Sequence, residues 1–119
     1  MADILIMFHS QTGNTEKLAR AGTQGVDETG HARAVLKRAA HAFAQDLKDC
    51  SAVVICSLEY FGYMAGAAKD FFDRTYKELK DDATVCKKPF CIVISAGNDG
   101  SLTDCLQRRG NGRSADEMF

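Results

Sequence analysis

The sequence predicts an α/β fold: a doubly wound parallel sheet with helices on both faces. Three observations predict it. Short, unbroken apolar runs recur along the chain: Ile4-Leu5-Ile6-Met7-Phe8, Ala52-Val53-Val54-Ile55-Cys56 and Phe90-Cys91-Ile92-Val93-Ile94. Amphipathic helical patterns fall between them. The first run passes directly into a polar, glycine-containing loop and then into a helical pattern.

Each apolar run is continuous rather than alternating, the pattern of a parallel strand covered on both faces. Ala34-Val35-Leu36 is a weaker strand candidate. Residues 15–26 carry Leu18, Ala19, Ala21 and Val26, and Gly25 and Gly30 bracket the expected end of that helix. Residues 42–50 predict a short helix. Residues 64–79 predict the clearest one, with Met64, Ala68, Phe71, Phe72, Tyr76 and Leu79 on one stripe and Lys69, Asp70, Asp73 and Lys77 facing away. The charged stretch 80–88 reads as a loop before Pro89 and the last apolar run. The order is therefore β-α-β-α-β-α-β, and right-handed crossovers restrict how it winds.

Residues 1–106 read as one domain. Ser101 could cap a short helix through Leu106. From Gln107 to Glu117 the chain is nearly all polar, too poor in apolar groups to offset the entropy of ordering. Residues 107–119 are therefore expected to be a tail, mobile or ordered only by another chain, without a fifth strand.

At 119 residues, 45% hydrophobic and 26% charged, the chain suits a single globular domain. A net charge of −1 gives no pull toward nucleic acid or anionic lipid. No apolar run approaches a membrane span, and the N-terminus does not read as a secretory signal. Five cysteines with no Cys-x-x-Cys pair suggest reduced thiols in a cytoplasm, not a disulfide framework or a metal site.

The first strand runs into His9-Ser10-Gln11-Thr12-Gly13-Asn14-Thr15. A strand, a tight polar loop and a helix N-terminus make an anion site, because unpaired N–H groups point where the helix dipole is positive. Ser10, Thr12 and Thr15 add hydroxyls, and Gly13 allows close backbone approach. The loop holds no Lys or Arg, so a nucleoside triphosphate loop is a poor match. Gly-x-Gly-x-x-Gly is absent, which counts against a dinucleotide site. The plainer alternative is that Asn14 or Thr12 merely caps a helix. His9 reads as a solvated loop residue, and Asp73 with Arg74 as a helix-surface pair.

Ser10-Gln11-Thr12-Gly13-Asn14-Thr15 resembles the phosphate loop of flavodoxins, Ser/Thr-x-Thr-Gly-x-Thr. Glu59-Tyr60-Phe61-Gly62-Tyr63-Met64-Ala65-Gly66, followed by Lys69-Asp70-Phe71-Phe72-Asp73-Arg74, resembles the ring-contacting segment of NAD(P)H-dependent flavin and quinone reductases. Ser95-Ala96-Gly97-Asn98-Asp99-Gly100 is similar to a further flavin loop of flavodoxin-like proteins. The resemblance spans residues 3–106. It implies a flavodoxin-like sheet of order 2-1-3-4, with the usual fifth strand missing, and flavin mononucleotide (FMN) as cofactor. The switch point of such a sheet lies between the first and third strands, whose ends carry the two strongest motifs.

The resemblance assigns the phosphate to Ser10, Gln11, Thr12, Gly13, Asn14 and Thr15. It sets Glu59, Tyr60, Phe61 and Gly62 along the ring, and Ser95, Gly97, Asn98 and Gly100 at its pyrimidine side. It names no catalytic side chain and no metal. Its implied activity is an oxidoreductase passing electrons from NAD(P)H through FMN to a quinone or similar acceptor. An electron carrier is the alternative, but carriers of this kind are strongly acidic, and this chain has sixteen acidic against fifteen basic residues. A shortened, non-catalytic member is the third reading. Leu58 replaces the family's frequent proline, and Ser57 its glycine or other small residue, which predicts a looser loop there. A missing fifth strand would leave the fourth exposed as an edge, open to pairing with a second subunit.

Overall fold

In the computed structural model of the chain, residues 2–60 and 63–95 are described. The ring-flanking candidates Phe61 and Gly62, the loop beyond Ser95, the expected 101–106 helix and the expected 107–119 tail lie outside the described residues.

The apolar runs become β1 (Ala2–Phe8), β3 (Ala52–Tyr60) and β5 (Phe90–Ser95), and the weaker run becomes β2 (Ala32–Arg38). All four are parallel in the order β2-β1-β3-β5, as the sequence predicts. Ile6 sits between Leu36 and Val54, and Ile55 faces Ile92 across the next pair. Their apolar runs are unbroken because both faces are covered. Leu5 and Met7 pack on one face with Val53, Ile55, Leu47, Phe71, Phe72 and Leu79. Ile6 and Phe8 pack on the other with Cys56 and Ala19.

That second face is covered by α1 (Asn14–Glu28). Its end at Glu28 falls between Gly25 and Gly30, as expected. The chain leaves it at Gly30, whose φ of 71° is the left-handed turn that ends helices. The first face is covered by α2 (Ala44–Asp49) and α3 (Gly66–Leu79). A 3-10 turn, Ala39–His41, takes up part of the connection ahead of α2.

Three expectations are corrected. The stripe of α3 buries Thr75 and leaves Tyr76 45% exposed. Thr75 tolerates burial because its hydroxyl donates to the Phe71 carbonyl at 2.8 Å, one turn back. The 80–88 stretch contains a short helix, α4 (Ala83–Cys86), started by Asp82 accepting from the Thr84 and Val85 N–H groups. Burial of Val85 holds it against the core. Finally, Arg74 is more than a surface group. It pairs with Asp70, but it also donates to the carbonyls of Ala42 (3.1 Å) and Ala39 (3.0 Å) and stacks between Phe43 and Phe71. Asp73 pairs with Lys69, as its helical spacing allows.

The four described cysteines are free. Burial pushes the Cys56 thiol up from 9.0 to about 11, and the nearby Cys91 adds to this. A group whose folded-state pKa is raised stabilises the fold below its unfolded pKa and loses that stabilisation as pH climbs through the folded value. Resistance to urea is therefore expected to fall as pH rises from 9.0 toward 11. Cys56→Ala should flatten part of that decline, measured as unfolding midpoint against pH; an unchanged slope would remove Cys56 as its source.

Candidate functional site

The carboxyl ends of β1, β3 and β5 open on one edge of the sheet, so segments distant in sequence meet there. The His9 N–H donates to the Cys56 carbonyl at 3.1 Å, which carries the β1–β3 ladder one step past β1 and fixes the root of the loop. Ser10 then folds back, its Oγ accepting the Gly13 N–H at 2.9 Å. Gly13 has a φ of 99°, a left-handed conformation that side chains resist. The turn delivers the chain into α1.

The N-terminus of α1 has no side-chain cap; its N-cap residue is Gly13 itself. Neither Asn14 nor Thr12 plays the capping part that the plainer reading gives them. The first intrahelical bond of α1 comes from the Lys17 N–H to the Gly13 carbonyl at 3.0 Å. The N–H groups of Asn14, Thr15 and Glu16 precede it, as the first donors of every helix do. Gln11, Thr12 and Asn14 are exposed, Ser10 and Gly13 half-buried. Thr15 is 1% exposed, and its hydroxyl is buried without a hydrogen-bond partner among the described residues. Such a group ordinarily costs stability, and an orphan at a helix N-terminus is one a ligand can satisfy.

The second motif sits on the end of β3. Ser57 and Leu58, expected in a loop, continue the strand instead, which runs on to Tyr60: Leu58 pairs with Ser95 of β5. The chain then returns as β4 (Tyr63–Met64), antiparallel to β3, with Glu59 opposite Met64 and Tyr60 opposite Tyr63. A proline at 58 would lack the N–H that a strand residue offers. Ser57 holds the return in place. Its buried hydroxyl accepts the Ala65 N–H at 3.0 Å and donates to the Leu58 carbonyl at 3.0 Å. Sequence reasoning missed this role; the signal was a hydroxyl at the end of an otherwise apolar strand.

Ser95, the last residue of β5, is half-buried beside Leu58. Phe61, Gly62, Gly97, Asn98 and Gly100 lie outside the described residues. The structure therefore brings the 10–15 loop, the Glu59 and Tyr60 backbone and Ser95 to one end of the sheet. It also adds a residue not foreseen. Arg38, at the end of β2, pairs with Phe8 in register, lies over its ring at 5.0 Å and bridges Glu16 of α1 at 3.6 Å. Grooves elsewhere, one bounded by Arg20, Gln24 and Leu36, another by Asp3, Val35 and Cys50, carry none of these motifs. No group of three potential metal ligands occurs among the described residues, and no helix there could cross a membrane.

The sequence profile of the NADPH-dependent FMN reductase family matches residues 18–115. A curated NAD(P)H dehydrogenase (quinone) from Paracoccus denitrificans (strain Pd 1222) is 30% identical over 126 residues, covering 90% of this chain and 61% of that protein. One from Archaeoglobus fulgidus is 33% identical over 100 residues, 63% of this chain and 52% of that one. The chain thus spans between half and two thirds of the length of these relatives. Among solved structures, a WrbA-like flavodoxin from Agrobacterium tumefaciens superposes with a TM-score of 0.72 at 20% identity, over 91% of this chain and 69% of that one. A Streptococcus pneumonia TIGR4 flavodoxin gives 0.70 at 22%, over 90% and 73%. These likenesses show a flavodoxin-like fold.

Proposed function

The chain belongs to the NADPH-dependent FMN reductase family, and from that premise we propose that it binds FMN at the ends of β1, β3 and β5 and oxidises NAD(P)H, passing the electrons to a quinone or a similar acceptor. The observation that carries the proposal is the orphan hydroxyl of Thr15 beside the uncapped first turn of α1. A phosphate is an acceptor-only group with several oxygens. It fits a place where a buried hydroxyl and helix N–H groups lack partners.

In this reading residues 10–15 hold the phosphate: Thr15 and Thr12 through hydroxyls, Gly13 and Asn14 through backbone N–H groups, with Ser10 fixing the turn by its bond to Gly13. Glu59, Tyr60, Phe61 and Gly62 bound the ring on one side, and Ser95, Gly97, Asn98 and Gly100 on the other. Ser57 positions the first of these segments through Ala65. FMN, when bound, supplies the redox chemistry; the protein orients it and shields it from water. Two further parts of the proposal are a cytoplasmic setting, in keeping with free thiols, and pairing of two copies along β5. Among the described residues β5 pairs only with β3, and light scattering reads the assembly state.

The test is a titration of flavin-stripped protein with FMN, followed by flavin fluorescence, with riboflavin as control. Saturable binding of FMN well ahead of riboflavin is expected, and rapid loss of flavin absorbance when NADPH is added. No FMN binding overturns the proposal. FMN binding without reduction by NADPH or NADH overturns the reductase and leaves a carrier, although the near balance of acidic and basic residues argues against one.

A further inference from the structure

We infer that Arg38 is a binding residue for the phosphate end of FMN, providing from the neighbouring strand the positive charge that loop 10–15 lacks. The inference rests on the proposed FMN site and adds to it a residue outside its motifs.

The register sets the position. Arg38 is opposite Phe8, the last residue of β1 before the loop begins. Partners in a parallel pair project from the same face of the sheet. Phe8 packs on the face covered by α1, so Arg38 projects there too. Its guanidinium carbon lies 5.0 Å from the centre of the Phe8 ring, a cation–π contact. One nitrogen is 3.6 Å from Glu16 Oε1. Glu16 follows Thr15 directly, so this cation stands beside the first turn of α1, the turn that also carries the orphan hydroxyl.

The charges explain why it is needed. A carboxylate in the first turn of a helix favours the helix dipole. The same carboxylate repels a phosphate dianion arriving at that end. Glu16 is neutralised by Arg20 at 3.1 Å, one turn further along α1. Arg20 is the closer partner, and Arg38 is the charge in excess. The three side chains together carry one net positive charge, at the end of the helix where the loop contributes none. The Arg38 side chain is 44% exposed, so its field is screened and its effect depends on salt.

The measurement is FMN and riboflavin affinity of flavin-stripped protein at low and at high ionic strength. Arg38→Gln is expected to weaken FMN binding about tenfold at low salt, a surface-charge effect on a dianion. Riboflavin affinity should not change, and the salt dependence of FMN binding should become shallower. Arg38→Lys should keep most of the affinity, since the charge remains. Glu16→Gln should tighten FMN binding, and it keeps the test open if Arg38→Gln folds poorly. Equal losses for FMN and riboflavin in Arg38→Gln would mean a purely structural residue and overturn the inference. So would unchanged FMN affinity in a folded Arg38→Gln or, where that variant folds poorly, in Glu16→Gln. These outcomes leave the FMN site standing. Failure of the unaltered chain to bind FMN would instead remove the site itself, and this inference with it.

Discussion

A Thr15→Val variant is expected to be more stable than the unaltered chain without ligand, and to bind FMN about ten- to a hundredfold more weakly. Both effects come from one atom. Thr15 is 1% exposed and its hydroxyl has no partner among the described residues. A buried polar group left unsatisfied costs about 1–3 kcal/mol. Valine has the same shape without the hydroxyl, so in the free protein the substitution removes that cost. With FMN bound, the hydroxyl is expected to donate to a charged phosphate oxygen. A hydrogen bond to a charged group contributes about 1.5–3 kcal/mol, which is the tenfold to hundredfold loss in affinity. Thermal melting with and without FMN reads both at once. A lower melting temperature for ligand-free Thr15→Val would mean that the hydroxyl has a partner in the fold. Unchanged FMN affinity would mean that Thr15 does not face the phosphate.

Arg74→Ala is expected to cost about 3 kcal/mol of stability while leaving the FMN affinity of the folded protein nearly intact. The guanidinium joins α3 to the connection between β2 and α2. It donates to the carbonyls of Ala39 and Ala42, both buried, and its Nε donates to the Asp70 carboxylate at 2.6 Å. It also lies 5.8 Å from the Phe43 ring centre and 5.9 Å from that of Phe71. Removing it takes the side-chain donor from the Ala42 carbonyl, leaves the Ala39 carbonyl with only the Ala42 N–H at 3.3 Å, and uncovers Phe43, already 61% exposed. Urea unfolding measures the loss. Arg74→Lys should recover little, because one ammonium cannot make the forked contact to two carbonyls. A change within about 0.5 kcal/mol, typical of surface positions, would return Arg74 to the helix surface.

These residues also mark what the sequence could and could not tell. The apolar runs were legible because a strand covered on both faces has nowhere to put a polar side chain, and β1, β3 and β5 follow from that alone. The loop proposed for the phosphate could be picked out as a candidate because its residues are contiguous. Arg38 was not, since its place beside Phe8 depends on the register between two strands about thirty residues apart. Arg74 was misread for the same reason: its helical neighbours explain Asp70, while the Ala39 and Ala42 carbonyls come from another part of the chain. Tyr76 and Thr75 were exchanged because periodicity ranks residues by polarity, and a threonine that bonds back to its own helix escapes that ranking. The α4 helix was passed over because four residues are too few to show a period, although Asp82 marked its start.

The strand–turn–helix unit of β1, the 9–13 loop and α1 has a further consequence, for the order in which the site is assembled. Apart from Arg38, everything proposed for the phosphate lies within one short stretch of chain, and contacts between near neighbours form early in folding because little loop entropy opposes them. The ring side needs the end of β3 beside the end of β5, a pairing of segments about forty residues apart that closes later. A partly folded chain could therefore grip its cofactor by the phosphate before a ring pocket exists. FMN would then act as a template on which the slower half of the sheet closes, a part that riboflavin, lacking the phosphate, could not play.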